Sequence, residues 1–158
     1  MKNLKAKIKQ ENTSGFTVVE ILVVLLIIGV LTTILLLTYS GIEQHQRNNT
    51  RIADIKLIQS NLETYYAESG FYPTLVEMND QSWTETNLKG LDQNSMIDPG
   101  SSFSVPTFAA TLTKNEYTYA PTSSDGKACN DKTVACAKYT LSAQLEASAG
   151  TFTELSLN

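Results

Sequence analysis

A single carboxylate stands directly in front of a long uncharged segment. Glu20 follows Gly15 and Phe16 in the run GFTVVE, and the 19 residues after it, 21–39, carry no charge. A carboxylate inside a membrane costs about 2.5–3.5 kcal/mol at the bilayer centre and less near the interface, so it needs a partner. Cleavage between Gly15 and Phe16 would create an α-amino group one helical turn before Glu20. We therefore expect Glu20, at a helix start where the dipole favours negative charge, to pair with that amine or with a neighbouring subunit's.

The uncharged segment is long enough to cross a membrane as a helix. Its 19 residues would rise about 28 Å, close to the roughly 30 Å hydrocarbon thickness of a bilayer. Because residues 1–15 are rich in lysine, we expect them to stay in the cytoplasm and the chain after Tyr39 to lie outside. The lysines are Lys2, Lys5, Lys7 and Lys9. The alternatives are a plain anchor and a signal peptide cut after Ser40, although its apolar core exceeds the usual 7–15 or so residues.

The residues from Gly15 to Glu20, followed by a long aliphatic helix, resemble the class III leader and helix start of type IV pilins. They also resemble the related pseudopilins of type II secretion systems. The resemblance implies that a prepilin peptidase cleaves after Gly15 and methylates the amino terminus of Phe16. It also implies that Glu20 guides docking of subunits into a helical filament. One departure is Leu37, where many filament-forming members carry a proline.

The helix is expected to continue beyond the apolar segment. Apolar residues recur at intervals of three and four, whereas charged residues occupy the other faces. The apolar set is Ile52, Ile55, Ile58, Leu62 and Tyr65 or Tyr66, and the charged set is Arg51, Asp54, Lys56, Glu63 and Glu68. Gly70 followed by Pro73 predicts the helix end, so one helix spans residues 16–69. The alternative is a separate surface helix after a flexible joint at Gly41.

Strands are predicted near the end of the chain. Residues 116–120, 137–146 and 151–157 alternate in polarity and are rich in β-branched and aromatic residues. The expected inward-facing side chains are Tyr139, Leu141, Ala143 and Leu145 on one strand, and Phe152, Leu155 or Leu157 on the next. Residues 75–106 are predicted to be an irregular loop.

The predicted fold is therefore α+β and pilin-like, with a long N-terminal helix packed on a small antiparallel sheet. The predicted organisation is a cleaved leader at 1–15, a transmembrane and filament-core helix at 16–39 and an extracytoplasmic globular domain at 40–158. That domain includes the second half of the long helix.

Two cysteines flank a short loop in the part of the chain predicted to be exported. Cys129 and Cys136 allow one pairing, and an oxidising compartment predicts a structural disulfide. Metal binding by the two thiolates would need further ligands, and a reactive pair usually has the closer Cys-x-x-Cys spacing.

Oxygen-bearing side chains in the same region are weak candidates for a calcium site. The residues are Ser123, Ser124, Asp125, Asn130 and Asp131. Major pseudopilins, which the chain also resembles in the run YYAESGFYPT, bind calcium in a late loop. The residues here do not match a coordinating pattern one by one, and turn formation explains them equally well. No cofactor is predicted.

Enzymes and nucleic-acid-binding proteins fit the sequence poorly. His45 is the sole histidine, and the motifs of serine hydrolases, zinc proteases and phosphate-binding loops are absent from the sequence. Residues 16–158 contain eight basic and fifteen acidic residues, a net charge of −7 that repels phosphate backbones. We therefore expect neither catalysis nor nucleic-acid binding by the bulk of the surface.

The predicted function is that of a structural subunit of a type IV pilus-like filament. The resemblance implies three partners: other copies of the chain in a helical filament, a prepilin peptidase and an inner-membrane assembly platform. It also implies a single-pass inner-membrane protein before assembly, then an extracellular filament or a cell-envelope pseudopilus. Two alternatives stand beside it. One is a major pseudopilin of a secretion or DNA-uptake system, and the other is a monomeric membrane-anchored binding domain.

Overall fold

The computed structural model describes residues 15–131, 133–147 and 149–158. The first 14 residues, with the lysines of the predicted leader, lie outside the described residues, as does the side chain of Leu37. The chain divides into two compact units, Met1–Ser40 and Gly41–Asn158.

One long helix, α1, extends over Val18–Ser69 and includes Gly41, so the prediction of a single helix is confirmed. It ends at Gly70, whose φ of +78° is a left-handed conformation that favours glycine. Inside the apolar part, the hydroxyls of Thr32 and Thr33 donate hydrogen bonds to helix carbonyls at 2.7 and 2.9 Å. These polar groups are therefore satisfied within the helix, as an apolar environment requires.

A four-stranded sheet follows in the order β1-β2-β3-β4. The strands are β1 Phe108–Ala109, β2 Tyr117–Thr122, β3 Lys138–Gln144 and β4 Thr151–Leu155. The three predicted strands are present and antiparallel, but β1 pairs with β2 in parallel, so the sheet is mixed. Two residues are too few to produce the alternation by which the other strands are recognised.

The prediction of an irregular loop over residues 75–106 is wrong. This region contains the helices α2 Leu75–Met78 and α3 Gln81–Asn87 and a 3₁₀ turn, Gln93–Met96. Thr74 and Glu77 form a reciprocal capping box at the start of α2, and Asp80 caps α3. These elements are too short for a helical period to be visible in the sequence.

The core of the unit Gly41–Asn158 lies between the second half of α1 and the sheet. Ile55, Ile58 and Leu62 of α1 are buried together with side chains of β2 and β3. The sheet residues are Tyr117, Tyr119, Tyr139, Leu141 and Ala143. The α+β class with a helix packed on a sheet is thus confirmed.

The prediction that Leu155 or Leu157 faces inward is wrong, because their side chains are 59% and 76% exposed. The register explains the difference for β4. Phe152 and Glu154 lie opposite the buried Ala143 and Leu141, so Leu155 falls on the other face of the sheet.

Candidate assembly site at the start of the long helix

The backbone at Gly15 and Phe16 is outside regular secondary structure, because α1 begins two residues later at Val18. The side chain of Phe16 is 83% exposed, and among the described residues, its chain neighbours aside, none places an atom within 4 Å of where a Cβ on Gly15 would stand. Exposed, non-helical backbone is the kind of segment that endopeptidases cut. The junction predicted as a cleavage site is therefore accessible in the structure.

Glu20 closes a capping box at the start of α1. Its carboxylate accepts hydrogen bonds from the backbone N–H and the hydroxyl of Thr17 at 3.0 and 3.1 Å. In return, the N–H of Glu20 donates to the Thr17 hydroxyl at 3.2 Å. This arrangement satisfies N–H groups that a helix start leaves unpaired.

The capping box gives the carboxylate of Glu20 a structural role within its own chain. The pairing of Glu20 with an amine, expected from the sequence, stays a prediction. The signal was present as the Thr-x-x-Glu spacing of Thr17 and Glu20, which is the usual pattern of a capping box.

The segment directly after this cap is apolar and exposed. Val18–Leu35 is long and apolar enough to span a membrane, and none of it is buried. All its large apolar side chains are exposed, from Val18 to Leu35. A continuous apolar surface of this length marks a membrane or protein contact.

Ion pairs hold α1 to the rest of the globular unit. The guanidinium of Arg51, whose side chain is fully buried, donates two hydrogen bonds to Asp98 at 2.7 and 2.8 Å. A third bond, at 2.8 Å, reaches Glu146 in the turn after β3. The prediction that Arg51 lies on a different face from the apolar residues is thus wrong, because it precedes Ile55 and Ile58 by four and seven residues and shares their buried face of α1.

Arg47 lies one turn earlier on α1 and also binds Glu146 through two nitrogens. Hydrogen bonds from Arg47, and then from Arg51, lower the pKa of Glu146 to about 2, although desolvation acts in the opposite direction. Glu146 is therefore ionised at neutral pH and bridges the two arginines. We call Arg47, Arg51, Asp98 and Glu146 the arginine cluster.

Cys129 and Cys136 lie close to one another as free thiols, with the Sγ of Cys136 3.9 Å from the carbonyl oxygen of Cys129. Both are buried, and burial, followed by the neighbouring Cys129, raises the pKa of the Cys136 thiol. The disulfide stays a prediction.

The calcium candidates do not form a coordinating set. Asp125 pairs with Lys127 at 2.8 Å, and Asp131 accepts a hydrogen bond from the N–H of Thr133 at 3.0 Å. Lys127 lowers the pKa of Asp125, with a smaller effect of Ser123. Across the described part of the chain, no three His, Cys, Asp or Glu side chains are grouped as metal ligands.

A long helix with an exposed apolar first half, joined to a small α+β unit, is consistent with a pilin-like fold. Three proteins named type II secretion system core protein G are similar to this chain. The protein from Pectobacterium carotovorum subsp. carotovorum is 29% identical over 85 residues, which cover 54% of this chain and 49% of the relative. For Dickeya chrysanthemi the identity is 33% over 60 residues, 38% of this chain and 39% of the relative.

The protein from Klebsiella michiganensis is 26% identical over 91 residues, 58% of each chain. The chain thus spans about half the length of these curated relatives, between 39% and 58%. No protein family profile and no solved structure matches the chain. The similarities support the resemblance to pilins and pseudopilins.

Proposed function

We propose that this protein is a pilin-like structural subunit that assembles through the first half of α1 into a filament of the cell envelope. The observation that carries the proposal is the exposed apolar segment Val18–Leu35, whose one carboxylate, Glu20, lies in its first turn and caps the helix start. The relatives named type II secretion system core protein G favour a pseudopilus over a type IV pilus.

In this proposal, the apolar segment Val18–Leu35 occupies two environments in turn. Before assembly it spans the inner membrane, with residues 1–15 in the cytoplasm and Gly41–Asn158 outside. In the filament, the same side chains pack against the α1 helices of other copies. Burying one large apolar side chain is favourable by about 1.5–3 kcal/mol relative to leaving it in water. The segment therefore passes from the membrane into the filament without becoming exposed to water.

Maturation removes the leader at the bond between Gly15 and Phe16. The exposed, non-helical backbone there supports cleavage by a prepilin peptidase, followed by methylation of Phe16. Cleavage leaves the capping box intact, since that box uses the N–H and hydroxyl of Thr17 and the carboxylate of Glu20. The mature helix therefore begins with the same capping box as the precursor helix. The new amino group of Phe16 adds a positive charge next to it.

Docking then uses the carboxylate of Glu20. The amine of Phe16, from the same subunit or from a neighbour, meets it inside an apolar helix bundle, where opposite charges attract more strongly than in water. An inner-membrane platform is the proposed site of this step.

The test is the mature amino terminus, measured by mass spectrometry on protein isolated from cells. We expect methylated Phe16 in the wild type and uncut precursor for Gly15→Leu. Gly29→Leu is the matched control, because in the described part of the chain a Cβ added at Gly29 also meets no atom within 4 Å beyond the neighbouring helix backbone. This control is expected to be cut normally. A wild-type chain that begins at Met1 or Gly41 would contradict the proposal and favour a plain anchor or an ordinary signal peptide.

A further inference from the structure

A polar groove lies between the last turns of α1 and the end of α3 with the loop after it. Its volume is about 490 Å³, within the range of about 300–1,000 Å³ that small-molecule sites occupy. One wall consists of α1 residues between Asn61 and Ser69, and the other of residues between Thr86 and Gly90. Leu88 anchors the second wall in the core, where its side chain is 2% exposed. We call this concavity the α1–α3 groove.

The two walls approach each other closely at one point. A Cβ placed on Gly90 would come 2.9 Å from the Oδ1 atom of Asn61, nearer than such atoms normally lie. The lack of a side chain at Gly90 therefore lets the loop backbone lie against α1. The two walls are thus in direct contact there.

Four polar side chains of the groove are oriented by their own helices. They are the amides of Asn61 and Asn87 and the hydroxyls of Thr64 and Thr86. Each donates a hydrogen bond to the carbonyl four residues earlier in its helix, at 2.8–2.9 Å. Because these hydrogens are used within the helices, the side-chain oxygens remain as acceptors. The groove therefore offers oriented acceptors to a ligand that donates hydrogen bonds.

An aromatic ring and two opposite charges complete the lining. The ring of Tyr65 packs in edge arrangements with Trp83 and Phe71, at centroid distances of 5.3 and 6.0 Å. Glu68 and Lys89 bring one negative and one positive charge, and both are exposed. Neither pairs with a residue that the structure describes. The charges of the lining therefore sum to zero, and both are accessible to a ligand.

We propose that the α1–α3 groove binds a neutral saccharide. A sugar hydroxyl both donates and accepts hydrogen bonds, so it can bind to the oriented acceptors, to Glu68 and to Lys89. A cationic ligand would be repelled by Lys89 and an anionic one by Glu68, whereas a neutral ligand meets no like charge. The ring of Tyr65 offers an apolar face to the C–H groups of a sugar ring. This binding is a function beyond filament assembly.

Binding can be followed through Trp83, the sole tryptophan of the chain, because its ring packs against that of Tyr65. Full-length protein, in a detergent without a sugar headgroup, is titrated with maltose, cellobiose and N,N′-diacetylchitobiose. We expect a saturable change of Trp83 fluorescence with at least one of these neutral disaccharides.

Two charged disaccharides are the ligand controls. Chitobiose is the amine-bearing counterpart of N,N′-diacetylchitobiose, and cellobiuronic acid is the carboxylate-bearing counterpart of cellobiose. Each should bind about 10-fold more weakly than its neutral counterpart, since two like charges near a protein surface repel by roughly that factor.

Substitutions in the groove test its residues. Glu68→Ala and Lys89→Ala should each weaken binding about 10-fold, because a hydrogen bond to a charged group contributes about that factor to an equilibrium constant. The matched controls Glu85→Ala and Lys114→Ala remove the same charges outside the groove and should leave the affinity unchanged. Tyr65→Ala should also weaken binding, through the lost ring contact. If Tyr65→Ala does not fold, the two exposed charged positions still decide the question.

Three results would overturn the proposal. One is the lack of a saturable response to any of the three neutral disaccharides. Another is tighter binding of a charged disaccharide than of its neutral counterpart. The third is unchanged affinity in both Glu68→Ala and Lys89→Ala. None of these measurements involves cleavage after Gly15 or filament yield, so failure here is distinct from failure of the proposed function.

Discussion

Removal of Arg51 is expected to destabilise the globular unit more than any nearby surface substitution. The Arg51 side chain is fully buried, and the Asp98 residue that it binds is 3% exposed. In Arg51→Ala, the carboxylate of Asp98 would lose both hydrogen bonds from Arg51 and keep the one from the N–H of Gly100, at 2.7 Å. A buried carboxylate would then lack its counter-charge.

The magnitude follows from that uncompensated charge. Removing one partner of a buried ion pair costs about 3–5 kcal/mol, a large part of the roughly 5–15 kcal/mol that stabilises a domain. For a domain of this size, we expect the melting temperature to fall by roughly 10–20 °C. Arg47→Ala is the matched control. Its side chain is 32% exposed, and partly exposed pairs contribute about 1 kcal/mol or less.

The assay is thermal and urea unfolding of a fragment that starts at Gly41, followed by circular dichroism at neutral pH. The two variants should separate clearly, with Arg51→Ala far below Arg47→Ala and Arg47→Ala close to the wild type. Equal shifts for the two variants would refute the reasoning, because they would mean that burial does not determine the contribution of the arginine cluster.

Three further predictions follow from particular contacts. Since the native pKa of Glu146 is about 2 and its ordinary value is 4.5, its stabilising contribution is complete above the ordinary value. It should disappear as the pH falls through the native pKa, so Glu146→Gln should flatten the acid limb of a stability-versus-pH curve. Ala147 has a left-handed φ of +54°, so Ala147→Gly should raise the unfolding free energy by about 0.5–1 kcal/mol, whereas a loss relative to the Ala149→Gly control would contradict this. Thr17→Val should weaken the start of α1 by about 0.5–2 kcal/mol, seen as faster amide exchange at Ile21 in micelles, and Thr33→Val should not.

Much of the fold is predictable from the sequence because its signals are local and long. The apolar run and the spacing of Ile55, Ile58 and Leu62 predict α1 through Ser69. Strands β2, β3 and β4 follow from alternation over five or more residues. The two residues of β1 and the four of α2 are too short for any period, so they are visible in the structure alone.

The burial of a charged residue is one feature that the sequence analysis predicts incorrectly. Arg51 is charged, yet it lies on the same face of α1 as Ile55 and Ile58 and is fully buried. Its partners Asp98 and Glu146 lie 47 and 95 residues further along the chain. Such pairing is a property of the tertiary fold, and no local pattern encodes it. The register of β4 is another example, because Leu155 is apolar yet lies on the outer face.

The candidate site is more predictable, since its residues are adjacent in sequence. Gly15, Phe16 and Glu20 are identified by motif alone. The contact between Thr17 and Glu20 is local too, because the Thr-x-x-Glu spacing is that of a capping box.

The central claim is that Glu20 directs assembly of this chain into filaments. The most direct measurement is the filament yield, by cross-linking of the chain in the cell envelope and electron microscopy of isolated envelopes, from cells that express the wild type or Glu20→Ala at equal levels. We expect filaments for the wild type. Glu20→Ala should be inserted and cut after Gly15 but should not assemble, because an entering amine would lack its carboxylate. A normal filament yield from Glu20→Ala, with the protein present at wild-type levels, would contradict the account.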